Sequence, residues 1–350
     1  MIRVAILGAG IGSAHLAGYR ALPDRFKVTV MGELDTERAK KVIGDDDIRI
    51  ETDMDKIMSD PEIDVINVCL PPHLHHSVVL QALNAGKHVV CEKPLVTSLK
   101  EADELLEASK RNDRLLVPVF QYRFGPAMAK LQALVDAGLA GKPYAASLET
   151  HWDRDADYYA VSWRGTWKGE NGGAVLGHAI HNHDLLTNVM GPIASVSASV
   201  ATRVNDIEVE DCAAVMFRME NGSVATSSIT LGAADNTSRM RFCFEGFTAE
   251  SGSEPYAPAT GDWTFTARAP VAQSQIDAVL AGVKDGHVGF AGFFEAMADT
   301  LEKGGTRSVT GEDGRRSIEL VTAIYQAARE GGQVQLPLTA ENELYQNWAP

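Results

Sequence analysis

Short apolar runs recur through the first third of the chain: RVAIL at 3–7, KVTVM at 27–31, DVINVCL at 64–70, KHVVCE at 87–92 and RLLVPVF at 114–120. They lack strict polar alternation, as strands do when helices cover both faces. Stretches of helical periodicity separate them. One opens at Ser98, where SLKE sets Glu101 three residues after a capping serine. Strand alternating with helix predicts a parallel, doubly wound α/β sheet with right-handed crossovers.

The pattern changes at QYRFGPAMAKLQAL, 121–134, where Pro126 is placed to open a helix. Strand-like runs follow at PYAASLETHW, SVSASVATRV, RMRFCFEG and DWTFTAR. In CAAVMFRMENGSVATSSITL, 212–231, Asn221-Gly222 separates two apolar runs and predicts a hairpin, since both residues tolerate positive φ. A second, mostly antiparallel open sheet is expected, with one face available to another subunit. ESGSEPYAPATGD, 250–262, reads as a surface loop.

A chain of 350 residues exceeds what one core usually serves, so two domains are expected, 1–122 and 123–350. Lys plus Arg number 32 against 47 Asp plus Glu, a net charge of −15. That surface repels nucleic acid and anionic membrane, and neither is an expected partner. No apolar run approaches the ~20 residues of a membrane span. MIRVAILGAG mimics a leader peptide, but glycines interrupt it and no small-residue cleavage site follows, so a cytoplasmic protein is expected. The cysteines, Cys69, Cys91, Cys212 and Cys243, form no CxxC pair, and Cys69 and Cys91, in apolar runs, read as buried thiols.

The first apolar run ends in GAGIGSAH, 8–15. Gly8 and Gly10 fit the spacing of a dinucleotide-binding turn. Gly12 comes one residue early, and Ser13 stands in the usual place of the third glycine. In such turns the backbone approaches a pyrophosphate and the next helix aims its N–H groups at it. Gly8, Gly10, Ile11 and Gly12 are therefore candidate cofactor contacts. Glu33, about 20 residues on, suits the adenosine ribose hydroxyls and would repel a 2′-phosphate. NAD is favoured, with Arg38 nearby keeping NADP as the alternative.

GKHVVCEKPL, 86–95, sets Glu92-Lys93-Pro94 at the C-terminal end of a strand, where open α/β sheets place ligands. Pro94 confines the backbone of Lys93 to extended conformations and so fixes the direction of its ammonium group. With LPPHLH at 70–75 and EDGRRSIELVTAIYQAAREG at 312–331, the chain resembles the family of glucose–fructose oxidoreductase and inositol dehydrogenase. The resemblance implies an N-terminal Rossmann domain and a C-terminal α+β domain with a large open sheet, in dimers or tetramers. It implies NAD(P)-dependent oxidation or reduction of a sugar, polyol or related carbonyl compound. Leu70, Pro71, His75, Glu92, Lys93 and Gln121 join the candidate cofactor contacts.

RDADYYAVSWRGTWKGENGG, 154–173, is rich in aromatic rings, which suit the alternating apolar and hydroxyl faces of a sugar. Tyr158, Tyr159, Trp163 and Arg164 are candidate substrate residues. LGHAIHNHDLL, 176–186, then places three of the ten histidines in six positions. If it is helical from about Gly173 to Met190, residues three apart lie about 60° from one another and residues five apart about 140°. His178, His181 and Asp184 then share one side, and His183 faces the interior. Two histidines fall short of the three protein ligands of a catalytic zinc, so no metal is expected. The family pattern there is D-x-x-x-H-x-x-D after a glycine pair. Gly172-Gly173, His181 and Asp184 match it, while Gly177 stands where the first aspartate belongs. The resemblance then implies an acid–base set of Lys93 and His181, either alone or with His178 or Asp184 in place of the missing acid. Alcohol oxidation needs a proton acceptor, and histidine near 6.5 suits that role while lysine near 10.4 suits polarising the oxygen, roles that burial of the lysine beside a positively charged nicotinamide would reverse.

The expected function is NAD-dependent oxidation of a secondary hydroxyl of a sugar or cyclitol. One alternative keeps NAD bound and uses transient oxidation to eliminate a glycosidic substituent; NAD would then recycle without accumulating in reduced form. The other is a regulator that binds NAD and a sugar without turnover, against which Lys93 and His181 argue.

Overall fold

The computed structural model describes residues 1–350. They form two compact units, Met1–Gln121 with Gly289–Ile318, and Tyr122–Val288 with Glu319–Pro350. A single cut after residue 122 therefore does not describe the packing, because a late segment returns to the first unit.

The first unit holds six parallel strands: β1 (Ile2–Leu7), β2 (Phe26–Gly32), β3 (Arg49–Glu51), β4 (Val65–Val68), β5 (His88–Cys91) and β6 (Leu116–Pro118). Their order, β3-β2-β1-β4-β5-β6, reverses direction between β1 and β4. That is the doubly wound topology, and its ligand crevice lies at the reversal. The central strands β4 and β5 are buried on both faces apart from a partly exposed His88, which explains their unbroken apolar sequence. Five strands follow the apolar runs. β3 was missed because an edge strand of three residues, RIE, carries no hydrophobic signal.

The returning segment carries the Gly289–Lys303 helix. Phe290 and Phe294, four residues apart, lie one turn apart on its face. They meet the Gly12–Arg20 helix where Gly18 leaves room: a Cβ there would lie 2.8 Å from Phe290 and 2.9 Å from Phe294. The Phe294 ring stacks on Tyr19 with centroids 3.8 Å apart. Arg25 adds ion pairs to Asp299 and Glu302 at its edge. The Leu99–Asn112 helix begins as expected, with the Ser98 side chain accepting the N–H of Glu101. Glu101 turns back to Thr97, one residue earlier than a reciprocal capping box requires.

The second unit is built on eight strands: β7 (Pro143–Asp153), β8 (Ile193–Ala201), β9 (Cys212–Met219), β10 (Val224–Thr230), β11 (Gly232–Phe244), β12 (Phe247–Glu250), β13 (Thr264–Ala267) and β14 (Gln333–Gln335). Their order is β13-β12-β11-β7-β10-β9-β8-β14, antiparallel except for the β7–β10 pair. Along β9 and β10 every second residue is buried. One face of the sheet is therefore core, and the other carries Met216 and Val224 at 53% and 50% exposure. The β9–β10 hairpin is as expected, but its geometry differs: Met219 and Ser223 close a loop in which only Gly222 has positive φ. A three-residue connection with glycine in the left-handed position needs no positive φ at Asn221. The Asn221 side chain instead donates to the Met190 carbonyl, 2.6 Å away.

Candidate active site

The residues singled out from the sequence fall in both units. In the first, β1 leads into the glycine turn. Gly8 has φ +98° and lies so near the Cys69 carbonyl that a Cβ would approach it to 2.4 Å. Only glycine fits. Gly12 starts the helix close over β1, where a Cβ would meet Ile6 at 2.9 Å. It thus performs the helix–strand packing of the usual third glycine, one position early. A Cβ on exposed Gly10 would meet nothing within 4 Å. This is open backbone of the kind a pyrophosphate approaches, and Ile11 beside it is 46% exposed.

Glu33 follows β2. One carboxylate oxygen accepts the Ala9 N–H at 2.9 Å and an Arg38 N–H at 2.7 Å, and the other accepts from Asp35 at 3.1 Å. Burial acts to raise its pKa, yet the two backbone N–H groups and Arg38 more than offset this and hold it below the ordinary carboxylate range. The acid is thus tied to the turn it serves, and it partly neutralises Arg38. Substituting Glu33 with Ser removes the anion and frees Arg38. We expect kcat/KM for NAD to fall about 10- to 100-fold, the scale of a lost charged hydrogen bond, with NADP becoming the better cofactor. Steady-state rates with both cofactors test this, and an unchanged preference contradicts it.

Leu70 and Pro71 lie after β4, with Leu70 beside Gly8. His75 is fully buried, with ring nitrogens 2.7 Å from the Pro94 carbonyl and 2.8 Å from the Leu70 carbonyl. Burial depresses its pKa, and the neutral ring donates to one carbonyl at a time, fastening the Leu70 turn to the Glu92-Lys93-Pro94 turn. The Lys93–Pro94 bond is cis. Glu92, 8% exposed, accepts the Lys93 backbone N–H at 3.0 Å and meets the fully buried His15 ring at 2.9 Å. The other His15 nitrogen faces Asn67. Glu92 therefore orients the lysine turn. His15 is a site residue that sequence reasoning missed, although it stands three residues after Gly12. Gln121 ends this unit with its side-chain oxygen buried and without a hydrogen-bond donor.

In the second unit the histidine segment is helical, but not uniformly. Val175–Ala179 forms a wide π-type turn before the regular helix Ile180–Met190. The extra residue per turn rotates His178 relative to the ideal helix assumed from sequence, and such bulges are frequent at functional sites. A Cβ on Gly177 would meet nothing within 4 Å. The segment is anchored by Glu210, whose carboxylate accepts N–H groups of Gly173 and Val175 and the Tyr325 hydroxyl. A Cβ on Gly173 would lie 1.9 Å from the Glu210 carbonyl, which accounts for the glycine. Burial pushes the Glu210 carboxyl up to about 7, against the lowering effect of those donors.

His181 is 4% exposed and stacks on Tyr122, centroids 4.3 Å apart. His178 is 7% exposed, packs edge-on to Trp152 and lies 3.4 Å from the Tyr158 hydroxyl through Nε2. Arg123 grips both oxygens of Asp184, at 2.7 and 2.5 Å, with both side chains largely buried. His183 is buried, 3.0 Å from the Ser227 hydroxyl and against Phe217, and burial pushes it down to about 4. No group of three His, Cys, Asp or Glu side chains is arranged to hold a metal ion. Tyr158 lies beneath Arg164, whose guanidinium is 3.9 Å from the ring centre, and Tyr159 and Trp163 adjoin this cluster.

Comparison with known proteins adds the chemistry. Residues 2–120 match the model described as "Oxidoreductase family, NAD-binding Rossmann fold", and residues 128–249 match the "GFO/IDH/MocA C-terminal domain". Myo-inositol 2-dehydrogenase of Thermotoga maritima is 27% identical over 70% of this chain and 71% of its own. Levoglucosan dehydrogenase of Pseudarthrobacter phenanthrenivorans is 25% identical over 70% and 71%. Across eight curated relatives the match covers between 51% and 83% of their own lengths. The WlbA dehydrogenase of Bordetella pertussis, solved with NADH and UDP-GlcNAcA, superposes with a TM-score of 0.83 at 24% identity over 97% of this chain and 99% of its own. The glycine turn with Glu33, the doubly wound sheet and both family matches lead to one conclusion: the chain belongs to the GFO/IDH/MocA family and is an NAD-binding oxidoreductase.

Proposed function

We propose that the protein is an NAD-dependent dehydrogenase acting on a secondary hydroxyl of a sugar, cyclitol or related polyol, or reducing the matching carbonyl. The observation that carries this reading is the placement of His178 and His181 on one segment whose neighbours are rings and arginines: Tyr122 against His181, and Trp152 and Tyr158 against His178, with Arg164 over Tyr158. Flat apolar faces beside hydrogen-bonding groups suit a polyhydroxylated ring. The named activities of the inositol and levoglucosan dehydrogenases support the same substrate class.

Gly8, Gly10 and Glu33 would hold NAD, and the open backbone at Gly10 fits it. NAD supplies a hydride acceptor when bound. His181 accepts the hydroxyl proton. Lys93, oriented through Glu92, donates a hydrogen bond to the developing alkoxide. With Asp184 held by Arg123, His178 is the group that takes the place of the acid absent at Gly177. The reading includes a homodimer or homotetramer formed through the open sheet face bearing Met216, and a cytoplasmic location, which suits four free cysteines.

The test is a screen of sugars, inositols and sugar acids with NAD and NADP side by side. We expect reduced NAD to accumulate in proportion to oxidised product. Product formed by elimination without net NAD reduction, or tight NAD binding with no turnover across the panel, rejects the reading.

A further inference from the structure

We propose that the substrate carries a carboxylate, recognised by Arg164 with Arg154 beside it. The inference rests on the dehydrogenase reading and narrows its substrate to a sugar acid. Arg154 and Arg164 flank one ring, their guanidinium carbons 5.0 and 3.9 Å from the centre of Tyr158. Arg154 also lies over Trp152 and Tyr256, and Arg164 over Trp163. Both side chains are half-buried, and each has a buried Nε–H with no acceptor. Their other hydrogen bonds go to uncharged oxygens. Arg154 donates to the Asp153 carbonyl, the Asn236 amide and the Tyr256 hydroxyl. Arg164 makes one long contact of 3.4 Å, to the Tyr158 carbonyl through Nη1.

Acids are plentiful nearby, yet they serve the backbone. Asp155 accepts the N–H groups of Asp157 and Tyr158, Glu170 that of Gly165, Glu208 that of Trp167, and Asp211 those of Arg203, Val204 and Asn205. Two cations therefore share an aromatic bowl with no carboxylate paired to either. Half-buried charge is ordinarily paired, and ring faces return only part of what desolvation costs. In a chain with 47 acids and 32 bases such a concentration of uncompensated positive charge is a binding feature. With Nη1 engaged, the remaining Arg164 edge, Nε and Nη2, is the fork that matches a carboxylate. Tyr158 links this bowl to His178, through its hydroxyl at 3.4 Å. A phosphate could meet the same arginines, but its second charge faces repulsion from exposed Asp153, Asp155 and Asp157.

The experiment compares a uronic or aldonic acid, its neutral parent sugar and the corresponding sugar phosphate. Both NAD reduction and equilibrium binding are measured, the latter by tryptophan fluorescence, in the wild type, Arg164→Gln and Arg154→Gln. We expect the wild type to favour the acid by about 10- to 100-fold. Arg164→Gln should erase that preference, weakening the acid far more than the neutral sugar, and Arg154→Gln should weaken it less. Equal affinity for acid and neutral sugar, an equal loss of both in Arg164→Gln, or a preferred phosphate overturns the proposal. If nothing in the panel is oxidised, the dehydrogenase reading fails, while the binding data still decide the carboxylate. Should Arg164→Gln not fold, Arg164→Lys keeps the charge without the planar fork and is expected to lose the same preference.

Discussion

Arg123→Met is expected to destabilise the protein by about 3–5 kcal/mol, the scale on which a buried pair loses one partner. Asp184 retains only 2% side-chain exposure and Arg123 11%. Removing the guanidinium leaves a carboxylate stripped of water and of both short hydrogen bonds. The double variant Arg123→Met with Asp184→Leu should recover most of the loss, because it removes the charge along with its partner. Denaturant unfolding of the two variants tests this. A single variant within about 1 kcal/mol of the wild type would show that the pair contributes little. Arg123 also follows Tyr122 in the chain, so releasing it loosens the ring stacked on His181. A stability change here should therefore be accompanied by lower activity.

His181→Asn is expected to lower kcat/KM about 10²- to 10⁴-fold, the usual contribution of a positioned general base. The residue sits in the regular part of its helix, after the wide turn, and Tyr122 fixes its ring. Asparagine keeps a polar side chain of similar reach but does not accept a proton near neutral pH. NAD affinity, measured separately, should stay near that of the wild type. Turnover within threefold of the wild type on a good substrate would reject His181 as the proton acceptor. His178→Asn should cost less, since its assigned role is to complete the polar set rather than to take the proton.

The parallel sheet was legible because its strands are buried on both faces and announce themselves as apolar runs. The glycine turn was legible in outline. Why its third glycine arrives early became clear only from Ile6, which that glycine must clear. The hairpin at Asn221-Gly222 was legible, but which of the two residues carries positive φ was not, since that depends on loop length. Long-range pairing was the least accessible. Arg123 and Asp184 are 61 residues apart, and His15 and Glu92 are 77. Nothing in local spacing couples them. The wide turn at Val175–Ala179 has no sequence signature of its own, and without it the face assigned to His178 rested on an ideal helix. Phe290 and Phe294 cover a surface some 270 residues earlier in the chain, which local spacing does not reveal.

That last contact bears on how the protein is made. During synthesis from the N-terminus, the six strands of the first unit are available after residue 118, yet Tyr19, Gly18 and His15 stay without their aromatic cover until the Gly289–Lys303 helix emerges. The first unit closes late, across a loop containing most of the second, and such closure is slow because its entropic cost precedes its contacts. A fragment ending at Gln121 would keep its sheet order but expose a ring-lined face on its first helix. Expressed alone it is a candidate for aggregation, and grafting residues 289–318 onto its end is the repair that the packing dictates.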